Sequence, residues 1–289
     1  MAPRSELSDL ISLFDDPDET VATCVDRRLQ EMGREVIPAL EEAFRAEADP
    51  LRKRLIATRQ RHLNEAFRLE DLKRLSRSCG TAGFSLFETG FLISSLCDYT
   101  LTREAFTQAV EACASVYRGE ASDQRTALEN ARIFSHLFFH RLGFTLRDET
   151  LTDPACAQLP SVLEHRKGNP IAIAYLYFLL AEENGLPLYP LCFPGGFVPA
   201  WVEDSKELFY INLQAEGDIL LLRDLKAADI NRSALRSVSV LPVMLLESLQ
   251  YQAVSSHDAA RSALLEQALS LFGTERFLTV DDDPETSAR

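Results

Sequence analysis

The chain has 289 residues, of which 30 are basic and 44 acidic, so its formal net charge at pH 7 is −14. Nucleic acids and anionic membranes select proteins with a positive surface, and this charge argues against both as general partners. No apolar run reaches the roughly 20 residues that span a bilayer, and the sequence does not open with the pattern of a signal peptide. We therefore expect a cytoplasmic protein.

Residues 1–78 are predicted to form paired amphipathic helices. An Asp-Asp-Pro-Asp break at residues 15–18 precedes a helix over residues 19–32. Apolar residues then recur on one face of the next helix, namely Ile37, Leu40 and Phe44. This order resembles a HEAT-type helical repeat. One such repeat cannot bury its apolar face alone, so it must pack on the rest of the chain or on a partner.

Residues 79–235 are predicted to contain helices that lead into a central core. The last of these helices is expected to run from residue 123 to residue 142, with Ser122 as its cap. His136 and His140 on this helix stand four residues apart, as metal ligands can, but no third ligand accompanies them. We expect them to pack among the neighbouring phenylalanines, and we predict no metal and no cofactor. The stretch from residue 144 to residue 159 is expected to be irregular.

The segment from residue 159 to residue 222 organises the chain. Pro170 suits the first position of a helix, and Gly185 suits the left-handed residue that often follows a helix. Nearly every side chain between Ile171 and Ala181 is apolar. A helix that is apolar all round is buried, so we expect this one to be central to the core.

Short apolar or alternating runs follow the central helix, and Gly, Asp and Ser interrupt them. This pattern is typical of strands in a small antiparallel sheet. The predicted strands cover residues 188–192, 197–202, 208–213 and 218–222. The predicted fold class is therefore α+β: mostly helical, with a small antiparallel sheet packed on a central buried helix.

Several short motifs in this segment share their order and spacing with one family. They are Arg-Lys-Gly-Asn-Pro at 166–170, Gly-Leu-Pro at 185–187, Phe-Pro-Gly-Gly-Phe at 193–197 and Phe-Tyr-Ile-Asn at 209–212. Together they resemble the bacterial SirB-type transglutaminase-like family, which is similar in fold to the papain-like thiol enzymes. The resemblance covers the middle and the C-terminal half in register, and the N-terminal helices more weakly.

The resemblance implies where a thiol acyl-transfer site would stand. In that fold a Cys at the start of the central helix is the nucleophile, a His on a strand is the base, and an Asp on the next strand orients the His. These positions hold Pro170, Gly196 and Asn212 here. Since Pro and Gly offer neither nucleophile nor base, we predict a degenerate cleft formed by Asn169, Pro170, Gly195, Gly196 and Asn212.

A relocated thiol site is the competing hypothesis. The six cysteines are widely spaced without a C-x-x-C pair, which is typical of reduced thiols in the cytoplasm. Cys192 stands four residues before the predicted base position, and Cys156 and His165 lie shortly before the central helix. His165 paired with either cysteine would supply a base and a nucleophile. The alternative is that these are ordinary buried cysteines and a loop histidine.

Charged residues precede the central helix. We consider Glu164 and Arg166, with Lys167 beside them, as the rim of the cleft or as part of a polar binding surface. The alternative, which we favour, is a solvated loop that turns at Gly168.

Residues 236–280 are predicted to form a helical hairpin, with helices over residues 240–255 and 257–272. The pattern resembles one tetratricopeptide-type unit, and similar family members often carry such helices at the C-terminus. One unit cannot form a peptide-binding groove alone. Residues 281–289 are polar and are expected to be a frayed tail.

These observations favour a catalytically inactive transglutaminase-like protein. We expect it to act as a binding or scaffold module for an unknown protein or peptide partner, through the degenerate cleft and the helical flanks. The alternative is a thiol hydrolase or acyltransferase with a relocated Cys/His pair. A third hypothesis is a cleft that holds a small ligand without chemistry.

Overall fold

The computed structural model of the chain describes residues 4–79, 81, 84–120, 124–146, 153–194, 196–225 and 232–277. The chain separates into two units, residues 1–71 and residues 72–289, each with its own internal packing. Among the described helices, none combines the length and the apolar character needed to cross a membrane.

The first unit is helical. Its elements are Arg4–Ser12 (α1), Glu19–Met32 (α2), Val36–Ala46 (α3) and most of Pro50–Ser76 (α4). Helix α2 begins where the Asp18 carboxylate accepts a hydrogen bond from the Thr20 amide at 2.8 Å, which satisfies one free donor of the helix start. The unit has its own apolar core, which consists of Leu7, Phe14, Val25, Leu29, Val36, Leu40, Ile56, Leu63 and Phe67.

The helices described in the second unit are mostly those expected from the sequence. They are Leu86–Cys97 (α5), Arg103–Arg118 (α6), Ala127–His136 (α7), Leu159–His165 (α8), Pro170–Glu183 (α9), Leu241–Ser255 (α10) and Ala259–Ser270 (α11). Helix α7 continues into a π-helical turn over Leu137–Arg141. The predicted cap, Ser122, lies outside the described residues. The predicted start at residue 123 is wrong, because Thr126 and Glu129 form a reciprocal capping box that starts the helix at Ala127.

The segment before α9 is more ordered than predicted. Thr145–Leu146 (β1) and Lys167–Gly168 (β2) form a parallel pair, and α8 lies between them in sequence. Helix α8 ends at His165 and is followed by Arg166, which has a left-handed φ of 61°. The expected loop at His165 is therefore wrong. Buried apolar residues at helical spacing account for α8, and these are Leu159, Val162 and Leu163.

Helix α9 is the centre of the second unit. Every residue from Ala172 to Ala181 is buried, as its all-round apolar character predicts. Its two tyrosines keep hydrogen-bond partners inside the core: Tyr175 donates to the Leu86 carbonyl at 2.8 Å, and the Tyr177 hydroxyl lies 2.8 Å from Ser135 Oγ. Neighbouring elements α5, α6, α8 and α10 surround the helix.

An antiparallel sheet packs beside α9. Its described strands are Leu188–Phe193 (β3), Gly196–Glu203 (β4), Lys206–Asn212 (β5), Asp218–Leu220 (β6) and Ala234–Leu235 (β7). The strand order is β6-β5-β4-β3-β7. The predicted α+β class is confirmed, and so are the four strands predicted from the alternating runs. The two-residue strand β7 was missed, because a pattern of period two cannot be recognised in two residues.

Candidate functional site

A cavity of about 360 Å³ lies where the start of α9 meets strands β3, β4 and β5. We call it the sheet–helix cavity. The described residues that line it are Leu146, Pro170, Ile171, Ala174, Cys192, Phe193, Gly196, Phe197, Val198, Pro199, Ile211, Asn212, Leu213, Gln214, Met244 and Phe277. Apolar side chains dominate this wall, and none of these residues is a histidine or carries a formal charge.

The topology brings Pro170, Gly196 and Asn212 to this one cavity, although they are far apart in sequence. Pro170 is the first residue of α9, Gly196 is the first residue of β4, and Asn212 is the last residue of β5. Strand β4 pairs antiparallel with both β3 and β5. The first residue of β4 and the last residue of β5 therefore lie at the same end of this strand pair. The nucleophile and base positions implied by the resemblance thus face one space, and neither holds a reactive group.

Asn212 and Gly196 differ in what the local structure requires of them. Asn212 Oδ1 accepts a hydrogen bond from the Gln214 amide at 3.1 Å and so caps the short turn after β5. Among the described residues, a Cβ added at Gly196 would meet the Phe193 ring, at 3.4 Å, which is ordinary van der Waals contact. Glycine is therefore not required at residue 196 by packing. Gly195, its predicted companion, lies outside the described residues.

Asn169 lies behind the cavity rather than in its described wall. Its side chain is fully buried: Oδ1 accepts from the Ala172 amide at 2.8 Å, and Nδ2 donates to Ser248 Oγ on α10 at 2.8 Å. The backbone N–H of Asn169 donates to the Cys156 carbonyl oxygen at 2.8 Å. Asn169 is thus the N-cap of the central helix and a link to α10.

Cys192 is the cysteine among the described residues that line the sheet–helix cavity. Burial raises the pKa of its thiol to about 11, while Arg236 lowers it and Glu275 raises it further. A thiol with this pKa is protonated at neutral pH and therefore weakly nucleophilic. His165 lines a different cavity, so Cys192 and His165 do not share a site.

Cys156 and His165 line a smaller cavity of about 220 Å³. Its described lining consists of Asp153, Ala155, Cys156, Ser161, His165 and Lys167. The Cys156 thiol lies 3.6 Å from Asp153 Oδ2, and His165 Nδ1 lies 3.0 Å from the Ser161 carbonyl oxygen. The structure therefore brings these two predicted residues to one cavity, but each has a different hydrogen-bond partner.

Glu164 and Arg166 are not among the described residues that line the sheet–helix cavity. Glu164 is exposed. The Arg166 guanidinium lies 2.9 Å from the buried Cys113 sulfur and 4.8 Å from the centre of the Phe144 ring. These contacts give Arg166 a packing role next to α6, in which a cation lies over an aromatic face.

The two histidines of the α7 region face solvent, so the expected packing role is wrong. The rings of His136 and His140 lie 5.0 Å apart beside a polar cavity of about 480 Å³, and His140 Nε2 lies 3.7 Å from Glu216. The neighbouring Phe138 and Phe139 point inward instead. Within the described part of the chain, no group of three or more His, Cys, Asp or Glu residues has the geometry to hold a metal ion.

Three of the described lining residues lie outside the segment from residue 159 to residue 222 that was predicted to organise the chain. Leu146, Met244 and Phe277 lie far from the predicted motifs in sequence and complete the apolar wall. Of the three, only Phe277 stands out in the sequence, as an aromatic residue just beyond the last predicted helix. Nothing in the local patterns around Leu146 and Met244 separates them from ordinary core residues.

Comparisons with known proteins agree with this architecture. The model of the transglutaminase-like superfamily matches residues 104–261, which is more than half of the chain. Bacterial UPF0162 proteins are similar to parts of it. The protein of Vibrio cholerae is 29% identical over 164 residues, which cover 54% of this chain and 60% of the relative. The protein of Haemophilus influenzae is 40% identical over 58 residues, covering 20% and 22%.

The protein of Xylella fastidiosa is 37% identical over 60 residues, or 21% of each chain. The chain thus aligns with less than two thirds of the length of each of these relatives. No solved structure matches it significantly. The family match runs from α6 to the first turn of α11, and so includes α9, the sheet and most of the sheet–helix cavity. The chain belongs to the transglutaminase-like superfamily.

Proposed function

We propose that this protein is a catalytically inactive member of its superfamily that binds an uncharged, apolar group in the sheet–helix cavity. One observation carries the proposal: Pro170 and Gly196, which stand where the resemblance implies a nucleophile and a base, line one cavity. Cys192, the thiol in the described wall, has a pKa of about 11 and no histidine beside it in that wall. Binding without chemistry is the function that this combination supports best.

The wall of the cavity defines the class of ligand. Its volume of about 360 Å³ falls at the lower end of ligand sites, which span roughly 300–1,000 Å³. Apolar side chains surround it, and Asn212 and Gln214 offer neutral polar groups at one side. A charged ligand would lose its hydration without a compensating partner in the described wall. An apolar side chain of a protein or peptide partner fits these conditions.

The helical flanks extend the proposal to a protein partner. We assign the chain to the SirB-type branch of the superfamily, with α1–α4 as a HEAT-type flank and α10–α11 as a tetratricopeptide-type flank that help to contact the partner. The first unit has an apolar core of its own, so it can form a separate helical flank. We place the function in the cytoplasm, which the six free thiols favour.

Titration of the full-length protein with N-phenyl-1-naphthylamine, an uncharged fluorescent probe, tests the binding function. Gly196→Leu should weaken binding by more than about tenfold, because the leucine takes volume from the ligand. Gly119→Leu is the matched control: Gly119 is exposed at the end of α6 and outside the cavity. Equal binding by wild type and Gly196→Leu would contradict a site in this cavity.

A second assay tests the absence of catalysis. Purified protein is incubated with peptide amide and acyl-transfer substrates, and product is followed by mass spectrometry. We expect no turnover that follows the protein through purification. Turnover that does follow it, and that disappears when Cys192 or Cys156 is replaced by serine, would overturn the proposal.

The second candidate function is a thiol hydrolase or acyltransferase centred on Cys156 and His165. Their shared cavity favours it. With Nδ1 donating to the Ser161 carbonyl, Nε2 of His165 is the ring's acceptor, as a general base requires. This candidate predicts fast alkylation of Cys156 at neutral pH, and slower alkylation in His165→Ala. Slow alkylation that His165→Ala leaves unchanged would exclude it.

A further inference from the structure

A short strap follows α11 and contributes to the wall of the sheet–helix cavity. It consists of residues 273–277 and begins at Gly273, whose φ of +94° is a conformation that glycine adopts at little cost. At its other end, the Phe277 side chain lines the cavity together with Met244 of α10. Phe277 therefore forms part of the cavity wall beside α10.

A buried carboxylate fastens the end of the strap. Glu247 on α10 is 8% exposed, and its two carboxylate oxygens accept from the Phe277 amide at 3.1 and 3.2 Å. The Arg276 guanidinium lies 3.9 Å from the same carboxylate. A carboxylate in a largely apolar helix is costly unless its partners compensate it. An apolar residue would pack there at less cost, so the arrangement indicates a role in holding the strap.

A weaker contact fastens the strap to the sheet. Arg236, directly after β7, forms an ion pair with Glu275 at 2.7 Å, and the two side chains are 43% and 55% exposed. Exposed ion pairs contribute little to stability. Residues 273–276 are themselves exposed. Arg276 also lies 3.9 Å from Glu266, again at the surface. One buried anchor and a few exposed ion pairs are the properties of a segment that opens locally while the core stays folded.

We propose that residues 273–277 form a gate over the sheet–helix cavity, which Glu247 and the Arg236–Glu275 pair hold closed and an entering peptide opens. The inference rests on the proposed function, because a gate matters only for a cavity that receives a ligand. In the closed state Phe277 completes the apolar wall. In the open state a backbone N–H of the incoming chain takes the place of the Phe277 amide on the Glu247 carboxylate. The partner is thus an extended peptide segment that carries an apolar residue.

Because Cys192 lines the cavity, the rate at which a reagent modifies its thiol measures how often the gate opens. Uncharged N-ethylmaleimide is added to the full-length protein, and modification of each cysteine is followed by peptide mass spectrometry. Arg236→Gln and Glu275→Gln break the same ion pair but change the Cys192 thiol in opposite directions, because Arg236 lowers its pKa and Glu275 raises it. A gate predicts that both variants accelerate labelling of Cys192, by about two- to fivefold.

Glu247→Gln keeps a hydrogen-bond acceptor but loses its charge, so we expect a larger acceleration, of about tenfold. Cys113, buried beside Arg166, reports global unfolding and should label at an unchanged rate in all three variants. Faster labelling in Glu275→Gln together with slower labelling in Arg236→Gln is the purely electrostatic result and would overturn the gate. An unchanged Cys192 rate in all three variants would also overturn it.

The same variants separate the gate from the binding function. They are titrated with N-phenyl-1-naphthylamine as described for Gly196→Leu. If Cys192 labelling accelerates but no variant binds the probe, the strap opens as inferred and the ligand class is wrong. If wild type and variants bind the probe equally and Cys192 labels at one rate in all, the cavity binds ligands without a gate.

Discussion

The hydroxyl groups of Ser135 and Tyr177 lie 2.8 Å apart in the core, where both side chains are almost completely buried. Burial raises the pKa of Tyr177, so the phenol stays neutral and shares its proton with the serine. Tyr177→Phe leaves the serine hydroxyl without this partner and should lower the free energy of unfolding by about 1–2 kcal/mol. Chemical denaturation measures this loss. Ser135→Ala in the same background should recover part of it, and full additivity of the two changes would contradict the pair.

Ser135 also restricts the size of the side chain that residue 217 can carry. A Cβ on Gly217 would overlap both side-chain atoms of Ser135, and the φ of Gly217 is +90°. Gly217→Ala should lower the free energy of unfolding by about 2–4 kcal/mol, from left-handed strain and overpacking together. Gly185→Ala is the matched control, because its φ is +68° and a Cβ there meets no described atom within 4 Å. It should cost only about 1 kcal/mol, and equal losses in denaturation would contradict the steric argument.

The buried thiol of Cys192 should make the protein less stable at alkaline pH. Its pKa is about 11 in the folded protein, against an ordinary value of 9.0. As the pH rises above 9, the unfolded chain loses this proton first, so the folded state becomes relatively less stable until the pH passes 11. Cys192→Ala should reduce the loss of stability between pH 8 and pH 10.5 by up to about 2 kcal/mol. Urea unfolding at both pH values tests this, and an identical loss in the variant would contradict the raised pKa.

Restoring reactive groups at the degenerate positions should restore an activated thiol. In Pro170→Cys the new thiol stands at the start of α9, where the helix dipole favours the thiolate, so its apparent pKa should fall below about 8.5. Adding Gly196→His should lower it further, because a protonated histidine stabilises the thiolate. The pH dependence of alkylation, resolved by peptide mass spectrometry, measures both steps.

His165 is the control for this restoration. Pro170→Cys combined with His165→Ala should leave the pKa of the new thiol unchanged, because His165 lines a separate cavity. A new thiol that titrates the same with and without Gly196→His would show that residues 170 and 196 do not act on one another.

The centre of the fold could be predicted from local sequence signals. Helix α9 is nearly continuous in apolar residues between Pro170 and Gly185, and glycines and polar residues separate the four longer strands. Such signals need no knowledge of distant contacts. The order of the motifs also predicted that residues 170, 196 and 212 would face one space, and they line one cavity.

The rest of the candidate site depends on contacts between distant residues. Met244 and Phe277 belong to the wall only because α10 and the strap fold back over the start of α9. The motif placed Asn169 in the predicted cleft, but its side-chain amide donates in the core to Ser248, 79 positions later. A charged run at residues 164–167 concealed α8, whose three inward residues pack on elements that are remote in sequence.

The hydrogen bond between Asn169 and Ser248 has a consequence for synthesis on the ribosome. The chain emerges from its N-terminus, so the cap of α9 is made long before its partner on α10 exists. Until residue 248 has left the exit tunnel, the side-chain amide of Asn169 and the apolar faces of α9 that α10 covers stay open to solvent. We therefore expect nascent chains that stop at residue 235 to be loosely packed and easily cleaved by protease, and chains that include α10 and α11 to become resistant.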